Sequence, residues 1–354
     1  MAIYRKSAVA NEANLGLVNG DIFRQFQTAN QMQNFLINGS FDFWQRGTSD
    51  SASATNRYLS DRWKQEGNTS TAVISRQTAT TGTFTGESQY FYRAIIATGG
   101  GAANYQVLTQ YLEDVRTLAG KTVTLSFWAK ADAAKNLSLN VDQVFGTGGS
   151  TGVSVYSGSK FAITNTWAKY SITFNVSSIS SKTVGTNSSL SVYLWMDAGS
   201  TYDARTDSLG NQSGTFDFGE MMLNIGSEPA PFARAGGTIG GEELLCKRYF
   251  ELLISGAIHI YQSIGTVIAT TIDNGRLAPQ AYKVEKRVSP TINITGNYAF
   301  TIGAVVSSVS VQGESTNQKT WGLSVIYTGG VQNYAYLLRI NNDSTARITA
   351  DAEL

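Results

Sequence analysis

Polar and apolar residues alternate in several segments of this chain, and the alternation constrains the fold more than any other feature. In residues 123–130 the apolar side chains occupy every second position, as Val123, Leu125, Phe127 and Ala129. Residues 168–176 and 190–197 repeat the pattern. Because successive side chains of a strand point to opposite faces of its sheet, each segment is typical of a strand with one buried face. We therefore predict an all-β fold in which antiparallel strands, separated by Gly, Ser and Thr loops, build a jelly-roll sandwich.

The composition agrees with this class and excludes several functions. The chain has 354 residues, with 35 glycines but only 4 prolines, so its tight turns depend on glycine and asparagine. Charged residues make up 15% of the chain and the formal net charge is +1. This balance argues against a nucleic-acid surface, because phosphate binding needs clustered Lys and Arg. A polar but weakly charged surface is typical of particle exteriors and large oligomers.

The cysteine count and the hydropathy pattern limit how the chain matures. Cys246 is the single cysteine of the sequence and so has no partner for an internal disulfide. We expect no signal peptide, because no apolar run follows the basic start of the chain. No segment approaches the roughly 20 apolar residues that cross a bilayer. We therefore expect neither oxidative folding nor membrane insertion.

Changes in composition predict three parts. Residues 1–35 are rich in Asn, Gln and Ala, have too few apolar side chains for a core, and are predicted to form an N-terminal attachment arm. Residues 36–240 are predicted to form the jelly-roll sandwich, which ends in a Gly-rich stretch. Residues 241–354 are predicted to form a smaller β domain. A short helix is expected at residues 242–253, where acids are followed by strong helix formers. Strands are expected beyond it at residues 266–272, 291–294, 299–311, 322–327 and 334–340.

Five segments occur in the order of landmarks that mark a known family. They are Asn38-Gly-Ser-Phe-Asp-Phe-Trp-Gln-Arg-Gly-Thr48, Ser60-Asp-Arg-Trp63, Ser126-Phe-Trp-Ala-Lys130, Phe216 to Arg234, and Glu242-Glu-Leu-Leu-Cys-Lys-Arg-Tyr-Phe-Glu251. With these landmarks the chain resembles tail-fibre and other virion surface proteins of tailed phages. The opening and closing segments also resemble the end strands of jelly-roll carbohydrate-binding modules, where both strands pair into one sheet. This resemblance implies that Phe41 and Phe218 lie in one core.

The resemblance also implies a function on the phage particle. It implies a non-enzymatic, homotrimeric tail-fibre-type protein on the virion surface, assembled in the host cytoplasm. Its arm would bind other virion proteins, and the trimer would contact host surface polysaccharide. Two alternatives stay open: a capsid decoration or cement trimer that stabilises the shell, and a polysaccharide-degrading tailspike, since a glycosidase needs only two carboxylates about 5–10 Å apart. No cofactor, nucleic acid or membrane partner is expected.

Three aromatic residues form the candidate ligand-binding site, namely Trp128, Tyr193 and Trp195. If the aliphatic faces of their strands build the core, these rings lie on the opposite faces, among polar residues. Aromatic rings there can stack on the apolar face of a sugar, while Lys130 and Asp197 hydrogen-bond its hydroxyl groups. The alternative is that the rings pack under a loop or in a subunit contact, since Trp and Tyr are enriched at interfaces.

Asp42, Asp217 and Glu220 are candidate calcium ligands. The resemblance suggests the possibility, because similar modules often hold a structural calcium ion through carboxylates near the chain ends. The three acids are not arranged in a dense Asp/Asn loop, which favours solvated carboxylates or local caps. We therefore predict no metal site.

Arg46, Asp61 and Arg62 flank two tryptophans of the landmarks. We predict that they form an ion pair or stack on aromatic rings, and thereby hold the opening strand against its neighbour. The predicted role is structural.

No residue is predicted to be catalytic. His259 is the single histidine, lies in an alternating stretch with no serine or cysteine nucleophile beside it, and is predicted to have a core or interface role. Cys246 lies among Leu and Lys of the predicted helix and is expected to be a small buried hydrophobe. The sequence contains no phosphate loop and no dinucleotide fingerprint.

Overall fold

A computed structural model describes residues 33–86 and 88–354. The predicted arm, residues 1–35, falls outside this range except for its last three residues. Strands dominate the described part, where the α-helices are α1 (Asp203–Thr206) and α2 (Ile239–Lys247) and short 3-10 turns cover Ser200–Tyr202 and Gly313–Ser315. None of the helices in this part is long and apolar enough to cross a membrane. The prediction of an all-β fold with a short helix is confirmed.

The strands up to residue 225 form two sheets. They are β1 (Arg57–Tyr58), β2 (Lys64–Asn68), β3 (Thr71–Thr78), β4 (Tyr90–Ala97), β5 (Tyr105–Leu112), β6 (Thr122–Ala131), β7 (Lys135–Val144), β8 (Val153–Ile163), β9 (Ala168–Asn175), β10 (Ser189–Ala198) and β11 (Gly214–Ile225). Sheet I has the order β1-β2-β5-β10-β7-β8, and sheet II the order β3-β4-β11-β6-β9. The pairs β5–β10, β10–β7, β4–β11 and β11–β6 at the sheet centres are antiparallel.

The two sheets pack face to face. Phe127 of β6 contacts Phe161 of β8 with ring centroids 6.1 Å apart. The Tyr92 hydroxyl of β4 donates to the Gln65 side-chain oxygen of β2 at 2.8 Å. Strands that are distant in sequence are neighbours in both sheets, as in jelly rolls. The predicted sandwich is therefore confirmed, and the alternating segments at residues 123–130, 168–176 and 190–197 are strands.

The opening landmark is not a strand, contrary to the prediction. Residues 35–48 form turns and irregular backbone, and both Asn38 (φ 59°) and Phe41 (φ 55°) have left-handed φ angles. Such angles cannot continue a β ladder. The opening segment therefore runs beside a sheet without entering it as a strand.

Hydrogen bonds nevertheless join this segment to β11. Met221 N donates to Gly39 O at 2.9 Å, and Phe35 N donates to Leu223 O at 2.9 Å. A Cβ atom on Gly39 would lie only 2.1 Å from Met221 O, so this close approach requires glycine.

The expected neighbourhood of Phe41 and Phe218 is present. Phe41 packs on Tyr92 with ring centroids 5.4 Å apart, and Tyr92 is the register partner of Phe218. Both phenylalanines are fully buried. They therefore share one core, as the resemblance implied.

The described residues divide into two compact units. The first unit contains the described residues up to Asp42, Ser51–Arg57 and Gln65–Ala235, and the second contains Phe43–Asp50, Tyr58–Lys64 and Gly236–Leu354. The change of unit near residue 236 lies close to the expected boundary at residues 240 and 241. Two short segments that were expected in the sandwich are grouped with the second unit.

The second unit has three sheets. Its strands are β12 (Phe250–Ser255), β13 (Ser263–Ala269), β14 (Asn274–Leu277), β15 (Gln280–Ala281), β16 (Thr291–Thr295), β17 (Tyr298–Phe300), β18 (Val305–Val311), β19 (Thr320–Trp321), β20 (Leu323–Thr328), β21 (Ala335–Ile340) and β22 (Arg347–Asp351). The orders are β12-β22-β16, β17-β21-β13-β14-β20-β18 and β15-β19. Its core includes Val267, Leu323, Tyr327, Leu338 and Ile348, all fully buried.

The helix of the second unit is shorter than predicted. Helix α2 begins after Thr238, whose side chain accepts from Gly241 N at 3.1 Å, and ends at Lys247. Residues 250–255, which were predicted to continue the helix, form β12 and pair with β22. The predicted strand at residues 299–311 is divided into β17 and β18.

Two arginines of the second unit have the predicted structural role. The guanidinium of Arg62 lies 3.5 Å from the ring centroid of Tyr249 and pairs with the Glu353 carboxylate. Arg46 lies 3.5 Å from the Phe250 ring centroid and also pairs with Glu353, at 3.4 Å. Both arginines thus combine an aromatic ring with one shared carboxylate.

Candidate functional site

The three predicted ligand-binding residues do not form one site. Trp128 is in β6 of sheet II, whereas Tyr193 and Trp195 are in β10 of sheet I. All three point away from the space between the sheets, because their strand neighbours Phe127 and Leu194 are buried there. The residues therefore belong to the outer faces of two different sheets.

The outer face of sheet I has Tyr193 and Trp195 at its centre. In β5, Thr109 is the partner of Tyr193 and Val107 the partner of Trp195. In β7, Asn140 and Ser138 are the corresponding partners. The face is thus a mixture of aromatic rings and small polar side chains.

Aromatic rings cluster over this face. The Trp195 ring contacts Tyr105 at 5.6 Å and Tyr202 at 5.2 Å between centroids, and Tyr105 contacts Tyr202 at 5.0 Å. Tyr193 contacts Tyr111 edge-on at 6.3 Å. Trp195 is only 2% exposed, because Tyr202 and its neighbours cover it. The four tyrosines are partly exposed and form the accessible part of the cluster.

Arg205 places a charge beside these rings. It belongs to α1, and its guanidinium carbon lies 5.3 Å from the Tyr193 ring centroid and 5.4 Å from that of Trp195. Arg205 Nη2 donates to Asp142 Oδ2 at 2.7 Å and to Asn140 Oδ1 at 2.7 Å. The side chain is still 42% exposed, so it can also donate to a ligand.

Two phenol groups of the cluster have raised pKa values. Burial raises the pKa of Tyr193, and burial likewise raises the pKa of Tyr105. The Tyr111 hydroxyl donates to Glu66 Oε1. Phenol hydroxyls and a carboxylate beside aromatic rings are suited to hydrogen-bonding the hydroxyl groups of a ligand while the rings stack on its C–H groups.

Three buried polar atoms of this face have no hydrogen-bond partner among the described residues. They are Thr109 Oγ1, Ser138 Oγ and Trp195 Nε1. Buried polar groups are usually paired, so these three atoms are exceptions beneath the aromatic cluster.

The sequence analysis did not identify the residues around Tyr193, although the alternating pattern of β5 indicated some of them. Tyr105, Val107, Thr109 and Tyr111 occupy every second position of β5 and share its outer face. Tyr202 and Arg205 belong to the segment between β10 and β11, and no periodic sequence pattern predicts their positions.

Asp197 and Lys130 have other partners than the predicted sugar hydroxyls. Asp197 is fully buried and accepts from Ser70 Oγ at 2.6 Å and Gln212 N at 2.8 Å. Lys130 Nζ lies 3.7 Å from Asp217 Oδ2. Asp197 therefore stabilises the fold in this structure.

The outer face of sheet II carries a separate aromatic cluster. Phe84, from the loop between β3 and β4, contacts Trp128 at 6.2 Å and Trp167 at 5.0 Å, and Phe91 contacts Trp167 at 5.2 Å. Phe84 and Phe91 are buried, whereas both tryptophans are partly exposed. Trp128 is thus packed under a loop on one side and open on another.

The acids weighed as calcium ligands lie in protein contacts. Asp217 forms a bidentate pair with Arg93 at 2.7 and 2.8 Å, and Asp42 pairs with Arg234 at 2.9 Å. Glu220 is buried and accepts from a backbone N–H. Within residues 33–86 and 88–354, no group of three or more His, Cys, Asp or Glu side chains is arranged to hold a metal ion.

Cys246 and His259 are the two residues that the sequence analysis considered for catalysis. Cys246 is fully buried, as predicted, and burial raises the pKa of its thiol well above the ordinary value. His259 is exposed in the turn between β12 and β13, so its predicted position in a strand and its predicted core role are wrong, whereas the interface role stays a prediction. Its Nδ1 accepts from Tyr261 N at 3.1 Å.

Comparison with known proteins gives similarity in structure alone. No protein family matches the sequence, and no curated protein matches it either. Solved structures that resemble it include the family 11 carbohydrate-binding module from Clostridium thermocellum in complex with a mixed-linked tetrasaccharide, at 13% identity and TM-score 0.30, covering 52% of this chain and 99% of the module. A xylan-binding domain from Paenibacillus barcinonensis has 12% identity and TM-score 0.32, covering 56% of this chain and 99% of the domain.

A phage protein is also among the similar structures. The enzymatically active domain of tailspike protein 4 of bacteriophage CBA120 has 12% identity and TM-score 0.33, covering 54% of this chain but 21% of the tailspike chain.

Proposed function

We propose that the first unit binds a carbohydrate on the outer face of sheet I. The cluster of Tyr105, Tyr111, Tyr193 and Tyr202 with Arg205 carries this proposal, because it combines partly exposed rings with hydrogen-bonding groups. Aromatic rings stack on the apolar faces of sugars, and the phenols, Arg205 and Glu66 supply donors and an acceptor for hydroxyl groups. The mostly neutral face favours a neutral or weakly charged polysaccharide.

We further propose that this binding serves host attachment by a tail-fibre-type homotrimer on a phage virion surface. The five ordered landmarks of the sequence support the virion assignment, and the aromatic face supplies a contact for a host surface glycan. Three weak sites held on one trimer would act at high effective concentration, so each site needs only modest affinity.

We propose that the protein is non-enzymatic. Glu66 in β2 and Asp142 in β7 are the carboxylates that border the aromatic cluster, and three strand spacings of about 4.8 Å separate their strands. This backbone spacing of roughly 14 Å exceeds the 5–10 Å between the carboxylates of glycosidases. Asp142 is also held by Arg205. A polysaccharide-degrading tailspike is therefore less well supported.

A capsid decoration trimer is the second candidate, and one observation favours it. The second unit exposes large apolar side chains at Ile258, Ile272, Ile302, Val305 and Val331, each more than half exposed. Contiguous exposed apolar patches mark protein–protein contacts, so these side chains are candidates for an assembly surface. Immunogold labelling of particles separates the candidates, because label over the head would support decoration and label at the tail would support a fibre.

Tyr193→Ala tests the carbohydrate site. The full chain is applied to an array of purified bacterial capsular polysaccharides and lipopolysaccharide O-chains, and affinity for any positive glycan is measured by calorimetry. Loss of a stacking ring is expected to weaken binding about tenfold or more. Tyr261→Ala, which removes an exposed tyrosine of the second unit, is the control. Equal affinities of Tyr193→Ala and the unmodified chain would contradict the proposed site.

A further inference from the structure

Large apolar side chains are exposed mainly in the second unit. Among the described residues, all of the exposed ones except Ile95 belong to this unit. Single exposed apolar side chains are ordinary on a protein surface and need no explanation. A group of them at one place is different, and several of those in the second unit lie together.

Three turns lie at one end of the six-stranded sheet β17-β21-β13-β14-β20-β18. They are residues 270–273, 301–304 and 329–334, which connect β13 to β14, β17 to β18 and β20 to β21. Every neighbouring pair of strands in this sheet is antiparallel. The three connections therefore emerge at the same end of the sheet.

The turns pack against one another at this end. Val331 N donates to the Tyr336 hydroxyl at 2.8 Å, and a Cβ atom on Gly303 would lie 2.9 Å from the Tyr336 ring. A Cβ atom on Gly330 would lie 3.0 Å from Ile272 O. The third turn thus contacts the first directly and is joined to the second through Tyr336.

Each turn carries a large aliphatic side chain that is exposed to solvent. Ile272, Ile302 and Val331 are 67%, 71% and 61% exposed. Val305, which begins β18 directly after the second turn, is 68% exposed, and Tyr334 of the third turn is 48% exposed. We call these five residues the apolar end. Together they expose several hundred Å² of largely apolar surface, which is the size of patch that marks an interaction site.

The apolar end carries very little charge. Asp273 is the charged residue of the three turns, and its Oδ1 accepts from Thr271 Oγ1 at 2.8 Å. Helices and loops that bind anionic lipid surfaces combine apolar side chains with Lys or Arg, which these turns lack. A strongly charged protein partner would likewise find no complementary charge. A surface that matches the apolar end must therefore be apolar and nearly uncharged itself.

We propose that the apolar end is the contact between copies of this chain in the homotrimer. The inference rests on the proposed function, which requires three copies and leaves open which surface joins them. Side chains close to a three-fold axis meet their own equivalents from the other copies. An end with large aliphatic side chains and one carboxylate per copy fits this position, because like charges repel little there and the apolar area leaves water.

The area is sufficient for the centre of such a contact. A stable interface buries about 800 Å² on each partner. Ile268 and Leu337 extend the apolar end along the outer face of the sheet, because they lie near the turns and are 48% and 42% exposed. The side chains of the apolar end would then form the core of the interface, and the sheet face beside them would form its rim.

Sedimentation velocity of the full chain tests the proposal. The unmodified chain is expected to sediment as a trimer. Ile302→Asp combined with Val331→Asp is expected to raise the dissociation constant of the trimer about a hundredfold or more, because an unpaired charge is costly to bury. Ile258→Asp is the matched control and should leave the trimer intact. Ile258 is 78% exposed and lies in the turn before β13, at the opposite end of that strand from Ile272.

Far-UV circular dichroism checks that each variant is folded. If the double variant is unfolded, Ile272→Asp repeats the test at the first turn. A trimer of the folded variants as stable as that of the unmodified chain would overturn the proposal, since another surface would then join the copies of the homotrimer.

Two other results would also overturn it. An unmodified chain that sediments as a monomer would contradict both this contact and the homotrimer, whereas the carbohydrate site would still be tested separately by Tyr193→Ala. Binding of that monomer to phosphatidylcholine vesicles, lost in the variant with Ile302→Asp and Val331→Asp, would assign the apolar end to a lipid surface instead.

Discussion

Asp61 of the second unit should make the stability of the protein fall as the pH rises from 4 to 6. The residue is fully buried. Gln45 N donates to its Oδ1 at 3.0 Å and Gln45 Nε2 to its Oδ2 at 2.6 Å, while Arg46 Nη1 lies 3.9 Å from Oδ1. Burial nevertheless dominates and raises the pKa of Asp61 from 3.8 to about 6, against the lowering by Arg46 and Gln45.

The sign and size of the effect follow from this difference. Between pH 4 and pH 6 the folded protein binds more protons at Asp61 than the unfolded chain does, so unfolding becomes easier as the pH rises. Each pKa unit corresponds to about 1.4 kcal/mol, and a difference of roughly two units gives about 3 kcal/mol. This contribution is fully present below pH 4 and is lost above pH 6.

Urea denaturation at several pH values measures the effect, with Asp61→Asn as the reference. Other carboxylates titrate in both proteins, so the difference in unfolding free energy between them isolates Asp61. Between pH 4 and pH 7, the unmodified protein should lose about 3 kcal/mol of unfolding free energy relative to Asp61→Asn. Carbon-13 NMR of labelled aspartate should show a midpoint near 6, and Arg46→Met should raise it further. A midpoint below 4 with a pH-independent difference would refute the reasoning.

Two further substitutions test packing and pairing. Glu353→Gln leaves the buried Arg62 guanidinium without its carboxylate and should lower the unfolding free energy by about 3 kcal/mol, whereas replacing both residues by apolar ones should restore much of the loss, as thermal unfolding would show. Gly39→Ala should destabilise the first unit by about 2 kcal/mol, because the added Cβ meets the Met221 carbonyl, while Gly313→Ala, where the Cβ has open space, should cost little. Equal melting temperatures for the two alanine variants would contradict the close approach.

Local pattern was sufficient for the strands of the sandwich core. Apolar and polar side chains alternate in residues 123–130 because one face of β6 packs between the sheets. The sequence of the segment alone is therefore sufficient to predict the strand. The predicted end of the helix at residues 242–253 was wrong because a distant strand determines the structure there. Phe250–Ser255 has a sequence compatible with a helix, but it gains hydrogen bonds from β22, almost a hundred residues away. The local sequence pattern of residues 250–255 does not indicate strand pairing with a segment so far away in the sequence.

The candidate site could be predicted only in part. Alternation placed Tyr193 and Trp195 on an outer face, and the structure agrees. The cover over Trp195 comes from Tyr202 and Arg205, which belong to an irregular segment after β10. The position of such a segment depends on tertiary contacts, so the sequence could not indicate that Trp195 is buried and that the tyrosines are accessible.

The landmarks that carry the family resemblance contact one another. Within the first unit, Asp42 of the opening landmark pairs with Arg234 of the fourth at 2.9 Å. Within the second unit, the Gln45 amide donates to Asp61 of the second landmark and, at 2.8 Å, to the Phe250 carbonyl of the fifth. These segments therefore connect parts of each unit that are distant in the sequence.

The residues of the proposed carbohydrate face belong to none of the five landmarks. Tyr105, Tyr111, Tyr193, Tyr202 and Arg205 all fall in the intervals between them. A protein that shares the landmarks would thus share the contacts that close each unit, while its exposed rings and charges could differ freely. The resemblance accordingly bears on architecture, whereas the glycan preference that we propose has to be inferred from the outer face of sheet I.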